Sequence, residues 1–70
     1  MKPKDPLERA VEIVGSQSAL ARILGVGRSR VNNWLNRDLA IPAEFAVPIE
    51  RATLGKVKRH ELRPDVFEAA

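Results

Sequence analysis

Seventy residues with a net charge of +3, a pI of about 10.0 and no cysteine make one small domain with a modest core, no disulfide and no thiolate metal site. One histidine, His60, cannot build a metal site alone, and without a glycine-rich phosphate loop or converging carboxylates nothing is left to catalyse with. No apolar run approaches the roughly 20 residues of a membrane span and no signal-peptide core is present, so the expectation is a cytoplasmic, non-enzymatic protein without a cofactor.

Residues 1–5 read as a basic end, 6–67 as the domain and 68–70 as a tail. Asp5-Pro6-Leu7-Glu8 is a helix start: Asp5 caps, Pro6 suits the first helical position, and Glu8 is placed for a capping box. Leu7, Ala10, Val11 and Val14 recur at i, i+3, i+4, i+7, one apolar stripe, and Gly15 ends the helix. Ser16 caps a second helix over about residues 17–24, with Leu20, Ala21 and Leu24 inward. Gly25 terminates it in the left-handed conformation glycine favours, and Val26 plugs the turn. A third helix runs from about Arg28 to Asn36 with Val31, Trp34 and Leu35 inward.

Asp38–Ile41 reads as a loop. Pro42 opens a fourth helix with Phe45, Ala46, Ile49 and Ala52 as its buried stripe and Gly55 as its end. Pro48 lies inside it and removes the bond to the carbonyl of Glu44, which predicts a kink or break there. Arg59–Leu62 reads as a single helical turn, because Pro64 discourages helix at Arg63. Val66 and Phe67 are expected to fold back on the core or to meet a second subunit.

A short helix, a glycine turn and a second short helix over residues 17–36 are the layout of a helix-turn-helix. With Val31 at zero on a wheel of about 100° per residue, Trp34 and Leu35 define the buried side. Ser29, Asn33 and Asn36 lie opposite, Asn32 and Arg30 flank them, and Arg28 projects from the first turn. Serine and asparagine are mediocre helix formers, so a face built from them points to a use other than solvation. Asparagine pairs with the adenine edge and arginine with guanine. Between Glu12 and Asp38 there is no acidic residue, whereas Arg22, Arg28, Arg30 and Arg37 all lie there, a patch that attracts a polyanion. Gln17 and Ser18 open the second helix, where backbone N–H groups suit a phosphate. RNA fits less well, because the three aromatics, Trp34, Phe45 and Phe67, all read as buried and leave none to stack on bases.

The string QSALARILGVGRSRVNNWL, residues 17–35, resembles the helix-turn-helix of Cro-type phage repressors, in particular the YdaS-like group. The resemblance continues through I-P-A-E (41–44), I-E-x-A-T (49–53) and R-x-E-L-R-P-D (59–65). It implies an all-α, four- to five-helix domain of the Cro and lambda-repressor type, dimeric on operator DNA and regulatory in a prophage or toxin–antitoxin setting. Carried over by residue, Gly27, Arg28, Ser29, Asn32 and Asn33 would face bases, and Gln17, Ser18 and Asn36 would meet phosphate, joined by the basic Arg22, Arg30 and Arg37. Two positions depart from the pattern. Gly27 stands where a capping serine or asparagine is common, and Lys58 where a threonine often caps the last helix. Some Cro relatives build a β-hairpin in the C-terminal half, whereas Pro42, the apolar stripe and Gly55 here predict helix.

The expected partner is double-stranded DNA with a palindromic operator, bound by a homodimer through Phe45, Val47, Val57, Leu62, Val66 and Phe67. The alternative is a protein-interaction or antitoxin-type module that binds a toxin or a polymerase subunit.

Overall fold

The computed structural model describes residues 5–36 and 41–67; the expectations for Arg37, for the loop residues Asp38–Ala40 and for both chain ends lie outside them. Among the described residues there are five α-helices and no strand: α1 (Pro6–Val14), α2 (Gln17–Leu24), α3 (Arg28–Asn36), α4 (Ala46–Ala52) and α5 (Arg59–Leu62), with a 3₁₀ turn over Ala43–Phe45 before α4. None is long and apolar enough to cross a membrane.

The caps are local and follow the sequence. The Asp5 carboxylate accepts from the Leu7 N–H at 2.8 Å, and Pro6 occupies the first turn, where a missing donor costs nothing. Ser16 Oγ accepts from the Ala19 N–H at 3.0 Å. Gly25 has φ +72°; its N–H bonds to the Arg22 carbonyl and the Val26 N–H to the Ala21 carbonyl. That double closure fixes the turn by which α3 leaves α2.

Leu7, Ala10, Leu20, Ala21, Val31, Trp34, Ile41, Ala46, Ile49 and Val57 form one core. Val26 and Leu35 pack against it from the sides. The Trp34 and Phe45 rings meet at 5.5 Å, tilted by 44°, which ties α3 to the 3₁₀ turn. Ile41, read only as loop, is in this core.

Three expectations for the C-terminal half are corrected. The helix that Pro42 opens is not one kinked rod: it begins as the 3₁₀ turn, and α4 starts at Ala46. Pro48 therefore falls in the first turn of α4, where its missing N–H is not needed, and the break lies upstream of it. The helix also ends before Gly55. Leu54 takes the left-handed conformation at φ +55°, and the N–H groups of Leu54 and Gly55 close on the Arg51 and Glu50 carbonyls. Val57, expected at a subunit interface, is 0% exposed. Its N–H donates to Thr53 Oγ1 at 3.1 Å, and the Thr53 hydroxyl in turn donates to the Ile49 carbonyl at 3.0 Å. That buried link between α4 and the next turn removes Val57 from any surface.

Charged pairs hold the last helix. The Arg59 N–H donates to Glu50 Oε1 at 2.7 Å, and its guanidinium reaches both oxygens of the same carboxylate. Glu61 accepts from the Lys58 N–H at 3.2 Å and pairs across the molecule with Arg9. Lys58 has no acceptor with which to complete a reciprocal cap, so Glu50 and Glu61 do that work. Arg63 donates to the Ile41 carbonyl at 2.7 Å and grips Asp65 through two nitrogens. The I-E-x-A-T and R-x-E-L-R-P-D segments are thus partners of one another in this fold.

Candidate nucleic-acid interface

α2 and α3 pack closely because Ala21 is small and buried, 3% exposed, and the closed turn at Gly25 sets the direction in which α3 leaves α2. Val31 and Trp34 bury one side of α3, so the other side has to face outward. Gly27, Arg28, Ser29, Arg30, Asn33 and Asn36 are exposed, and Asn32 is half-buried. At the start of α2, Ser18 is exposed and Gln17 half-buried; Arg22, on the same helix, is exposed. The structure thus brings Arg28, Ser29, Arg30, Asn32, Asn33 and Asn36 together on α3, just after Gly27, with Gln17 and Ser18 at the opening turn of α2 and Arg22 in its last turn; Arg37 lies outside the described residues. Gly27 carries no capping side chain, and α3 opens on a tight turn in which the Gly27 carbonyl accepts from the Arg30 N–H at 3.0 Å.

One feature of this face was not read from the sequence. Gln17 Oε1 accepts from Asn32 Nδ2 at 3.2 Å, and Asn32 Oδ1 accepts from Asn36 Nδ2 at 2.5 Å. The three amides form a chain that runs from α3 to the first residue of α2. The spacing of Asn32 and Asn36, four apart on one helix, signalled half of it. The bond to Gln17 crosses 15 positions and has no local signal.

The cations of the molecule divide by neighbour. Arg9, Arg59 and Arg63 each face a carboxylate. Hydrogen bonds from Arg59 hold the Glu50 carboxyl down at about 2; those from Arg9 and Arg63 likewise hold Glu61 and Asp65 below the usual carboxylate range. Among the described residues Arg22, Arg28 and Arg30 have no ion pair, and neither do Arg51 on α4 and Lys56 and Lys58 in the turn that follows it. A shallow cleft lined by Glu8, Val11, Glu12, Gln17, Leu35 and Asn36 borders the face.

The expected interface residues are less available than their sequence suggests. Phe45, Leu62 and Phe67 pack against the core, and the Arg59 guanidinium lies 5.8 Å from the centre of the Phe67 ring. Val47 is half-buried. Val66 is exposed, as are Ile13, Ile23 and Leu54.

An all-helical domain with a glycine-turned helix pair and a polar, cationic second helix is the architecture of a Cro protein. The Cro protein of the Xfaso 1 element of Xylella fastidiosa strain Ann-1 superposes with a TM-score of 0.87 at 47% identity, over 94% of this chain and 100% of that one. The chain belongs to the family described as Bacterial toxin YdaS, whose model matches residues 7–70. It is 49% identical over 59 residues to the Escherichia coli (strain K12) protein named "Putative transcriptional regulator YdaS". That match takes in 84% of this chain and 60% of the relative, so the chain spans well under the relative's full length.

Proposed function

We propose that this chain is a transcriptional regulator that binds double-stranded DNA in a sequence-dependent way and acts by occupying an operator. α3 enters the major groove, Arg28, Ser29, Asn32 and Asn33 meet base edges beside Gly27, and Gln17, Ser18, Arg22, Arg30, Asn36 and Arg37 meet phosphates. Residues 6–67 form the binding unit, and a second copy on a two-fold site doubles the readout. The observation that carries this reading is the uncompensated charge: Arg22, Arg28 and Arg30 are exposed and have no ion pair around an amide-rich helix face, whereas Arg9, Arg59 and Arg63 are paired with acids. A solvated face gains nothing from that concentration, whereas phosphate contacts release counterions. Both named relatives support it, one a transcriptional regulator by its description and the other a Cro protein.

Selection from random duplex DNA tests the proposal. A recovered two-fold motif is the expected result, and failure to enrich any sequence would refute sequence-dependent binding. The family's description as a toxin favours a second reading, in which the domain acts through a protein partner. The double variant Arg28→Ala, Arg30→Ala separates the two: it abolishes growth effects that run through DNA and leaves those that run through a partner docked elsewhere.

A further inference from the structure

A primary amide carries two N–H donors and a carbonyl with two lone pairs. In the chain Asn36 to Asn32 to Gln17 every donation runs the same way. Asn32 therefore spends one N–H on Gln17 and one lone pair on Asn36, and keeps one of each. That remainder is the donor and acceptor with which an asparagine pairs with the N7 and N6 of adenine. Gln17 spends only its carbonyl and keeps both amide hydrogens, which suit an anionic acceptor. Successive hydrogen bonds in a chain also polarise one another in the direction they run.

We infer that Gln17 is a positioning residue for Asn32: it fixes the Asn32 amide so that an adenine is specified at one operator position, while its own amide hydrogens face the phosphate backbone. The inference rests on the reading that α3 lies in the major groove. It makes base preference depend on a residue of the other helix, and it ties backbone engagement to readout. A half-buried Asn32 without Gln17 would keep its place on α3 but lose its fixed amide orientation.

The test is a double-mutant cycle read as base preference. Affinities are measured for a duplex selected with the full chain and for versions in which each A·T pair in turn becomes G·C. The proteins are the unaltered chain, Asn32→Ala, Gln17→Met, the double variant and Gln17→Glu. Asn32→Ala is expected to remove the preference at one A·T pair. Gln17→Met keeps the bulk but not the acceptor, and should reduce the same preference by about tenfold, with the double variant no worse than Asn32→Ala alone. Gln17→Glu keeps an acceptor for Asn32; it should retain the adenine preference while weakening every duplex alike.

If Gln17→Met weakens all duplexes equally and leaves the adenine preference intact, Gln17 is a phosphate contact only and the inference is overturned. If Asn32→Ala changes no base preference while the chain still binds its selected duplex, Asn32 reads nothing and the inference falls with it. Failure of the unaltered chain to bind any duplex would instead sink the DNA-binding reading itself.

Discussion

Arginine serves two ends in this chain, and the neighbours of each one decide which. Arg59 is held by Glu50 and Arg63 by Asp65, so their charge is spent on docking α5 and the final turn. Arg28 has no such partner and opens α3, from where, in the proposed complex, its guanidinium would meet a guanine edge. Arg28→Ala should cost about 1–3 kcal/mol on the preferred duplex and far less on random DNA, as a competition binding assay would show. Equal losses on both would move Arg28 to the phosphate-contacting residues. Trp34 has the opposite assignment. It is 7% exposed and packed against the tilted Phe45 ring, so Trp34→Ala should destabilise by about 3–5 kcal/mol in urea unfolding. A variant that unfolds like the unaltered chain but does not bind would make Trp34 a ligand contact.

At the scale of the elements, the helices with local signals were legible and those made by distant partners were not. Asp5, Ser16 and Gly25 announce their caps because cap chemistry is a matter of a few adjacent residues. The apolar spacing on α3 placed Val31 and Trp34 inside and so defined the polar face. The start of α4, the depth of Ile41 and the burial of Val57 depend on contacts between segments far apart in the chain, which no period reveals. The same holds for the Arg9–Glu61 pair across 52 positions and for the bond from Asn32 to Gln17. Two predictions belong here. A Cβ added at Gly25 meets nothing within 4 Å, so Gly25→Ala should cost only the backbone strain of a left-handed residue, about 1–2 kcal/mol by thermal melting. A much larger loss would mean that the turn holds contacts beyond its own backbone. Glu50 ionises at about 2 in the fold against 4.5 ordinarily, so the unfolded chain takes up its proton first. Its contribution is complete above about 4.5 and is lost as the pH falls toward 2. Melting temperature followed over that range should fall, and Glu50→Gln should flatten the fall; an unchanged slope in the variant would deny Glu50 that role.

The whole molecule measures 30 × 27 × 19 Å. Half-sites one helical turn apart are separated by roughly 34 Å, so two copies side by side on one face of the duplex would nearly touch. With Val57 in the core and Phe45, Leu62 and Phe67 packed inward, Val66 is the one exposed apolar side chain among the expected interface residues. The dimer is accordingly proposed to assemble on DNA. Binding to a full two-fold site should be cooperative and binding to a half-site weak; equal affinity for both, with one chain on each, would remove the dimer.

The unpaired cationic face around α3 is proposed to engage the phosphates of a duplex. The most direct test is the affinity for a selected duplex as a function of salt concentration, for the full chain and for the Arg28→Ala, Arg30→Ala variant. Log affinity should fall linearly with log salt, with a slope of about −0.9 for each phosphate neutralised, and the variant should show a shallower slope. An affinity insensitive to salt, or a slope unchanged in the variant, would contradict the account.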